Sequence, residues 1–176
     1  QKVYIFGPGG ARMSPDAGAT WTSDVMAAPL NVPIAAGEKL STVSVASNQP
    51  DVIWVGATNG DVFFTEDATS NQIWYKASSY MPTRAVTHLA LDTSRTPVGV
   101  YATFDGMGPD SLWVTFNNGV IWTVQNDALP IRTTVPHVYA YYGVSINPID
   151  SSLLYIGGTY GFGYSTDGGS LWTWIQ

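Results

Sequence analysis

The feature that most restricts the fold of this chain is a short motif that occurs four times at a nearly constant spacing. Residues 14–21 and 165–172 share the pattern S-x-D-x-G-x-x-W, residues 115–122 have Asn in place of Asp, and residues 65–74 form a looser copy. The copies begin at residues 14, 65, 115 and 165, so they are 51, 50 and 50 residues apart. A fixed period of this length indicates a fold assembled from repeated units. The motif residues are Ser14, Asp16, Gly18 and Trp21; Thr65, Asp67 and Trp74; Thr115, Asn117, Gly119 and Trp122; and Ser165, Asp167, Gly169 and Trp172.

Each motif copy follows apolar segments with the length and composition of β-strands. One apolar segment lies about ten residues before each motif copy, and an alternating segment precedes this apolar segment in three of the four copies. A further segment leads into the motif, and the motif Trp begins the last one, which makes four strands per repeat. The 18 Gly and 11 Pro provide turns between short strands. Four short antiparallel strands per repeat are typical of a propeller blade. The sequence therefore predicts an all-β, single-domain β-propeller segment of about four blades, at residues 1–41, 42–85, 86–134 and 135–176.

The repeated motif is interpreted as the turn between the third and fourth strands of a blade. The Asp side chain can accept hydrogen bonds from backbone N–H groups of its own turn. The Gly can adopt a positive φ, and the Trp can pack over the turn and against the next sheet. Because the motif is present in every blade, Asp16 and Asp167 are predicted to be structural rather than catalytic.

These motifs resemble the Asp box of the BNR-repeat propellers. The stretch from Tyr155 to Trp172 is close to the repeat of that superfamily, which includes sialidases, family 74 xyloglucanases, sortilin-type ectodomains and bacterial surface proteins. The resemblance implies a propeller that is secreted or exposed at the cell surface. It leaves the activity open, because one fold carries many functions.

Composition excludes several other classes of protein. Hydrophobic residues make up 45% of the chain and charged residues 11%, which is the opposite of a disordered segment. The net charge is -6 and the seven Lys and Arg are dispersed, so no nucleic-acid partner is expected. The chain has no Cys, and no apolar run reaches the length of a membrane span. No cofactor and no metal site are predicted, since neither His88 nor His137 has a partner at ligand spacing.

The strand pattern predicts that the first and last blades are incomplete. Residues 3–7 correspond to the second strand of a blade, and residues 172–175 lie within a fourth strand, which gives fifteen strands in total. An unclosed series of blades leaves strand edges and apolar faces that favour pairing with another chain. The expected partners are the remaining blades of a larger propeller or another copy of this chain; a small closed four-bladed ring is the alternative.

Two carboxylates are the candidates for catalysis. Asp105 and Asp110 lie in the longest predicted loop between a second and a third strand, on the propeller end that carries ligand sites. Glycoside cleavage needs two carboxyl groups at a fixed separation, whereas Asp beside Gly and Pro is also common in ordinary turns. In the family 74 enzymes that this chain resembles, the catalytic carboxylates come from separate domains, which implies at most one of them here.

Sialidase chemistry is disfavoured. That activity needs three converging arginines, but Arg12 precedes a motif and Arg95 belongs to a turn at the opposite end from the predicted ligand site. The two glutamates, Glu38 and Glu66, do not supply the partner of a Tyr nucleophile, because Glu66 lies inside a motif.

Aromatic residues provide the predicted binding surface. Tyr139 and Tyr141 precede the first strand of the last blade, and Tyr160 lies in a loop of the same blade. Flat aromatic rings stack on sugars, and the same residues could instead pack within the fold. The sequence thus favours a non-catalytic module that binds a polysaccharide or protein surface, with a β-glucan or xyloglucan hydrolase and a structural assembly subunit as alternatives.

Overall fold

The computed structural model describes residues 3–7, 10–21, 32–68, 73–106, 110–125, 140–159 and 161–175. These residues form β-strands joined by turns, without a helix, so the all-β prediction is confirmed. The strands are β1 Val3–Gly7, β2 Gly10–Ser14, β3 Leu40–Ala46, β4 Gln49–Ala57, β5 Val62–Thr65, β6 Tyr75–Lys76, β7 Val86–Asp92, β8 Gly99–Phe104, β9 Leu112–Thr115, β10 Thr123–Val124, β11 Tyr141–Ile146, β12 Leu154–Gly158, β13 Gly161–Ser165 and β14 Thr173–Ile175.

The strands form four sheets in sequence order. Strands β1 and β2 pair in blade 1, and three four-stranded antiparallel sheets follow: β3–β6 in blade 2, β7–β10 in blade 3 and β11–β14 in blade 4. The predicted boundary between residues 41 and 42 falls inside β3, and the one between residues 85 and 86 coincides with the start of β7. The boundary between residues 134 and 135, and the fifteenth strand expected after Trp21, lie outside the described residues.

Apolar side chains between successive sheets form the core. One cluster joins blades 1 and 2, where Tyr4 packs against Ile53 and Val55. Two further clusters join blade 2 to blade 3 around Trp54 and blade 3 to blade 4 around Tyr101. Because both faces of the middle sheets are covered, blades 2 and 3 contain nearly continuous buried strands rather than a strict alternation.

The first strands of neighbouring blades are joined by side-chain hydrogen bonds. The Ser41 hydroxyl donates to the Val86 carbonyl at 2.7 Å, and the Thr87 hydroxyl donates to the Tyr141 carbonyl at 2.6 Å. These bonds connect β3 to β7 and the start of β7 to the start of β11. The strands at the start of each blade therefore lie side by side, which fixes the stacking order of the blades.

One end of the stack carries the turns that follow β4, β8 and β12. In blades 2, 3 and 4, the residue after the second strand donates a backbone hydrogen bond to the residue before the first strand: Thr58 to Lys39, Asp105 to Ala85 and Thr159 to Ala140, at 2.9, 2.9 and 3.1 Å. We call this end the loop face. The repeated turns lie at the opposite end, where Gly168 N–H donates to the Ser152 carbonyl at 2.9 Å.

The repeated turns share one hydrogen-bond pattern. In the first copy, Gly18 N–H donates to the Ser14 hydroxyl at 2.7 Å and Thr20 N–H donates to Asp16 Oδ1 at 2.8 Å. In the fourth copy, Leu171 N–H donates to Asp167 Oδ1 at 2.9 Å. In the third copy, Ile121 N–H donates to Asn117 Oδ1 at the same distance, so an amide oxygen can replace the carboxylate. The side chain at this position closes the turn, as an Asx turn does.

We expect the first turn to make stability depend on pH in the acid range. The pKa of Asp16 is lowered from 3.8 to about 2, chiefly because the Thr20 hydroxyl donates to it. Since the folded-state pKa is the lower one, the charged carboxylate stabilises the fold above about pH 4, and this contribution is lost as the pH falls toward 2. Urea midpoints measured from pH 5 to pH 2 should therefore fall less steeply in Asp16→Asn than in the parent chain.

The third turn offers a matched control for this measurement. Asn117→Asp places a carboxyl at the equivalent position, so it should make the acid-range dependence steeper. An unchanged slope in Asp16→Asn would show that the turn carboxylate does not contribute.

Candidate functional site

A cleft opens at the loop face between blades 2 and 3. It has a volume of about 400 Å³. One wall is the connection from β6 to β7, and the other comes from the turn after β8 and from β9. We call it the Tyr80 cleft; its lining residues are Tyr80, Met81, Pro82, Thr83, Arg84, Asp110 and Trp113.

The first wall is held against blade 2 by a close backbone approach. Gly60, in the turn after β4, has a φ of +88°, and a Cβ at this position would lie 2.0 Å from the Pro82 carbonyl oxygen. Only a residue without a side chain allows the connection to pass so near. The position of Pro82, and with it the neighbouring Tyr80 and Arg84, therefore depends on Gly60.

Arg84 connects the two walls. Its Nη1 donates to the carbonyls of Asp105 and Gly106, both at 2.9 Å, and its Nη2 donates to the Asp110 carbonyl at 3.2 Å. Burial lowers the pKa of Arg84, while the charges of Asp110 and Asp105 act in the opposite direction. Guanidinium groups remain protonated under such shifts. The cation therefore holds the carbonyls of Asp105, Gly106 and Asp110 close to one another.

The aromatic rings of the cleft differ in exposure. Tyr80 is 98% exposed, whereas Trp113 is half-buried and its Nε1–H donates to the Asp110 carbonyl at 2.8 Å. This bond fixes the indole beside the turn. The cleft thus combines an exposed phenol ring, a fixed indole edge and a carboxylate along its lining.

Two residues with an unusual backbone conformation lie at this cleft. Four non-glycine residues in the described part of the chain have a positive φ. Ala17 and Asn118 belong to the repeated turns, and the other two are Tyr80 at 66° and Asp110 at 67°, on facing walls of the cleft. For a bulky side chain this conformation is uncommon, and such strain is frequent at binding sites.

The predicted carboxylates both lie in the turn after β8. Asp110 lines the cleft. Asp105 is exposed, and its Oδ1 accepts the Gly106 N–H at 2.6 Å, which is the turn role considered for it from the sequence. Residues 107–109 lie outside the described residues. Hydrolysis by this pair stays a prediction.

Of the three predicted binding tyrosines, Tyr141 lies among the described residues, and its side chain is buried. Tyr141 is 2% exposed, and its ring is stacked at 6.3 Å from that of Trp174 in the core between blades 3 and 4. Its side chain therefore contributes to blade packing in this conformation. Tyr139 and Tyr160 lie outside the described residues.

The arginines with described side chains do not converge. Arg84 lies at the loop face, whereas Arg95 bonds Asp92 through its Nε at 2.7 Å and covers the Phe116 ring near the opposite end. The side chain of Arg12 and all of Arg132 lie outside the description. No group of three or more His, Asp or Glu that could hold a metal occurs among the described residues, which also contain no helix long and apolar enough to span a membrane.

Sequence reasoning missed Tyr80 and Trp113 as members of one site. The apolar run at residues 112–114 predicts a strand and no more, and the connection at residues 78–82 carries no motif, although connections into a first strand belong to the loop face. A Tyr followed closely by Pro in such a connection was the available signal.

No protein-family model matches the chain, and no curated protein matches its sequence. Solved structures do match its fold. The xyloglucanase of family GH74 from Xanthomonas campestris is 17% identical with a TM-score of 0.70, over 99% of this chain and 28% of that one. The GH74 enzyme of Niastella koreensis is 19% identical with a TM-score of 0.65, again over 99% and 28%.

A chain of the nidogen/laminin complex is 12% identical with a TM-score of 0.65, over 99% of this chain and 60% of that one. At these identities the likeness defines the fold alone. The chain is a β-propeller, as predicted, and it spans less than a third of the length of the two GH74 enzymes.

Proposed function

We propose that this chain is a glycan-binding β-propeller module that acts outside the cell or at its surface and has no catalytic activity of its own. The Tyr80 cleft is the proposed binding site, and a β-glucan chain of the xyloglucan type is the proposed ligand. The observation that carries this proposal is the fully exposed Tyr80 ring on the wall of a cleft that also holds Trp113 and Asp110.

The chemistry of the cleft suits a sugar. Aromatic rings provide flat apolar faces against which the C–H groups of a pyranose can stack. Binding sites usually combine such surfaces with a few polar groups that fix the orientation of the ligand. Asp110 can accept hydrogen bonds from sugar hydroxyls, and the Tyr80 hydroxyl can donate or accept.

The strained backbone supports the same site. The exposed Tyr80 ring has no burial of its own to offset a positive φ. A residue in this state persists because its surroundings hold it, here through the close approach of Gly60 to Pro82. The backbone at Tyr80 is therefore held in place before a ligand arrives, which reduces part of the entropy cost of binding.

The structural neighbours are compatible with the proposed ligand class. Two of them are GH74 enzymes, one of which is a xyloglucanase, and another belongs to the nidogen/laminin complex. The aromatic cleft favours a glycan over a protein partner.

Titration calorimetry with xyloglucan oligosaccharides tests this proposal. Tyr80→Ala should weaken binding about tenfold, which corresponds to about 1.4 kcal/mol and matches the loss of one stacked ring. Tyr75→Ala is the matched control, because Tyr75 is 51% exposed but lies in β6, outside the lining of the cleft. It should leave the affinity unchanged.

The outcomes separate the alternatives. Absence of binding to xyloglucan and unsubstituted β-glucan would overturn the proposed ligand, and equal affinities for Tyr80→Ala and the parent chain would overturn the site. If the chain releases reducing ends from xyloglucan and Asp110→Asn abolishes this release, the module is instead a hydrolase. Capture of a protein that competes with the glycan for the Tyr80 cleft would show instead that the ligand is a protein.

A further inference from the structure

His88 lies on β7 at the contact between blades 3 and 4. Alternate residues of a strand point to the same side, and Ala90, two positions further along β7, belongs to the core cluster that joins these two blades. The Val144 carbonyl of β11 accepts a hydrogen bond from the imidazole. The side chain of His88 therefore lies between the first strands of the two blades, beside the bond from Thr87 to the Tyr141 carbonyl.

The two ring nitrogens of His88 are in different situations. Nδ1 is buried and has no hydrogen-bond partner among the described residues, so the bond to Val144 is donated by Nε2. In a neutral imidazole one nitrogen donates and the other accepts, which leaves Nδ1 as an acceptor without a hydrogen. Protonation would place a buried N–H group and a positive charge at this atom. Because a buried charge without a partner is costly, the contact favours the neutral imidazole.

The charged groups in the described part of the chain do not compensate for such a proton. On β7 itself, Asp92 is bonded to Arg95. Of the elements packed against β7, β8 and its turn contribute Tyr101 and Asp105, β11 contributes Tyr141 and Tyr142, β4 contributes Asp51, and β3 contains no titratable residue. None of these groups is a cause of the shift in the pKa of His88, which burial lowers against the opposing effect of the Val144 carbonyl.

The neighbouring blades have a residue that does not titrate at this position. Each first strand has a register irregularity near its start, which aligns the residues that follow it: Thr42 in β3, His88 in β7 and Gly143 in β11. Packing of one blade on the next therefore does not require an imidazole here. His88 gives the contact between blades 3 and 4 a titratable group that blades 2 and 4 lack at the same point.

We propose that His88 makes the contact between blades 3 and 4 pH-sensitive: uptake of a proton by its imidazole separates β11 from β7 and allows blade 4 to unfold locally. The charged form does not suit the buried position, because water can hydrate it only when the strands part. Since the pKa of His88 is lower in the folded chain than its ordinary value of 6.5, its contribution to stability is present above that pH and is lost as the pH falls below it. This inference does not depend on glycan binding.

Hydrogen exchange between about pH 7.5 and about pH 5.5 tests the proposal, since unperturbed histidines titrate in this interval. After correction for the intrinsic exchange rate, protection of the β11 amides should fall about twofold to tenfold, because one proton changes an equilibrium by at most about tenfold per pH unit. Protection of the β4 amides, in blade 2, should change less. Equal losses in β4 and β11 would show global unfolding and would contradict a local response of blade 4.

Two histidine variants identify the group that responds. His88→Gln keeps a donor for the Val144 carbonyl but cannot take up a proton in this interval, so it should abolish the pH dependence of β11 protection while the circular dichroism is retained. His137→Gln is the matched control, because it removes the other of the two histidines; it should retain the dependence.

His88→Thr introduces the residue that blade 2 has at this position, and it should give the same result if His88→Gln does not fold. A pH dependence of β11 protection that persists in a folded His88 variant would overturn the proposal. Its absence from the parent chain would overturn it as well.

Discussion

Trp54→Ala should lower the free energy of unfolding by about 3–5 kcal/mol, the usual cost of truncating a fully buried large aromatic side chain. Trp54 has no exposed surface; its ring stacks on Phe64 at 4.6 Å and meets Trp122 edge-on at 6.3 Å. Its removal leaves a cavity between two sheets whose backbones are held by their own ladders. Because those sheets cannot collapse together freely, little of the lost packing can be recovered.

Urea denaturation followed by far-ultraviolet circular dichroism measures this effect. Trp54→Phe preserves an aromatic ring at the site and should cost clearly less than Trp54→Ala. Tyr80→Ala should change the free energy of unfolding by less than about 0.5 kcal/mol, since substitutions at exposed positions usually do. A loss below about 1 kcal/mol in Trp54→Ala would mean that blades 2 and 3 are not joined by this ring.

Gly60→Ala should be the most damaging Gly→Ala substitution among the glycines that the structure describes. The new Cβ would lie 2.0 Å from the Pro82 carbonyl oxygen, and φ is +88°. The left-handed backbone costs an L-residue about 1–2 kcal/mol, and overpacking adds about 1–3 kcal/mol. Because a backbone carbonyl cannot move aside as a side-chain end can, the connection that carries Tyr80 and Arg84 must shift.

Gly37→Ala isolates the backbone part of this cost. Gly37 has nearly the same φ, +89°, but a Cβ there would meet nothing within 4 Å. The loss of stability that Gly37→Ala shows in urea should therefore reflect the backbone conformation alone. The excess loss in Gly60→Ala, together with weakened binding at the Tyr80 cleft, measures the contact with Pro82. Equal losses in the two variants would show that the connection does not depend on this close approach.

The residues that the sequence identified correctly are those whose role is local. The side chains of Ser165 and Asp167 form hydrogen bonds within their own turn, at most four residues away, so their spacing alone predicts these bonds. The strands follow in the same way from short apolar runs that end at turn residues. This is why the period of the motif was sufficient to predict antiparallel blades in sequence order.

The burial of Tyr141 shows where local information ends. Adjacent tyrosines in a strand point to opposite faces, and here Tyr141 is buried while Tyr142 is 55% exposed. A register irregularity between Tyr141 and Gly143 shifts the start of β11 relative to β12. The sequence does not reveal which tyrosine faces blade 3, because that depends on the irregularity and on how the sheets stack.

The sequence by itself determined the period, the strand order and the hydrogen-bonded turns, since all of these depend on residues within one repeat. Only the tertiary structure decided the Tyr80 cleft, which joins a connection of blade 2 to a turn of blade 3. It also decided that Tyr141 is buried although the adjacent Tyr142 is exposed. The physical reason is that burial depends on which surface covers a side chain, and neighbouring blades, not neighbouring residues, supply that surface.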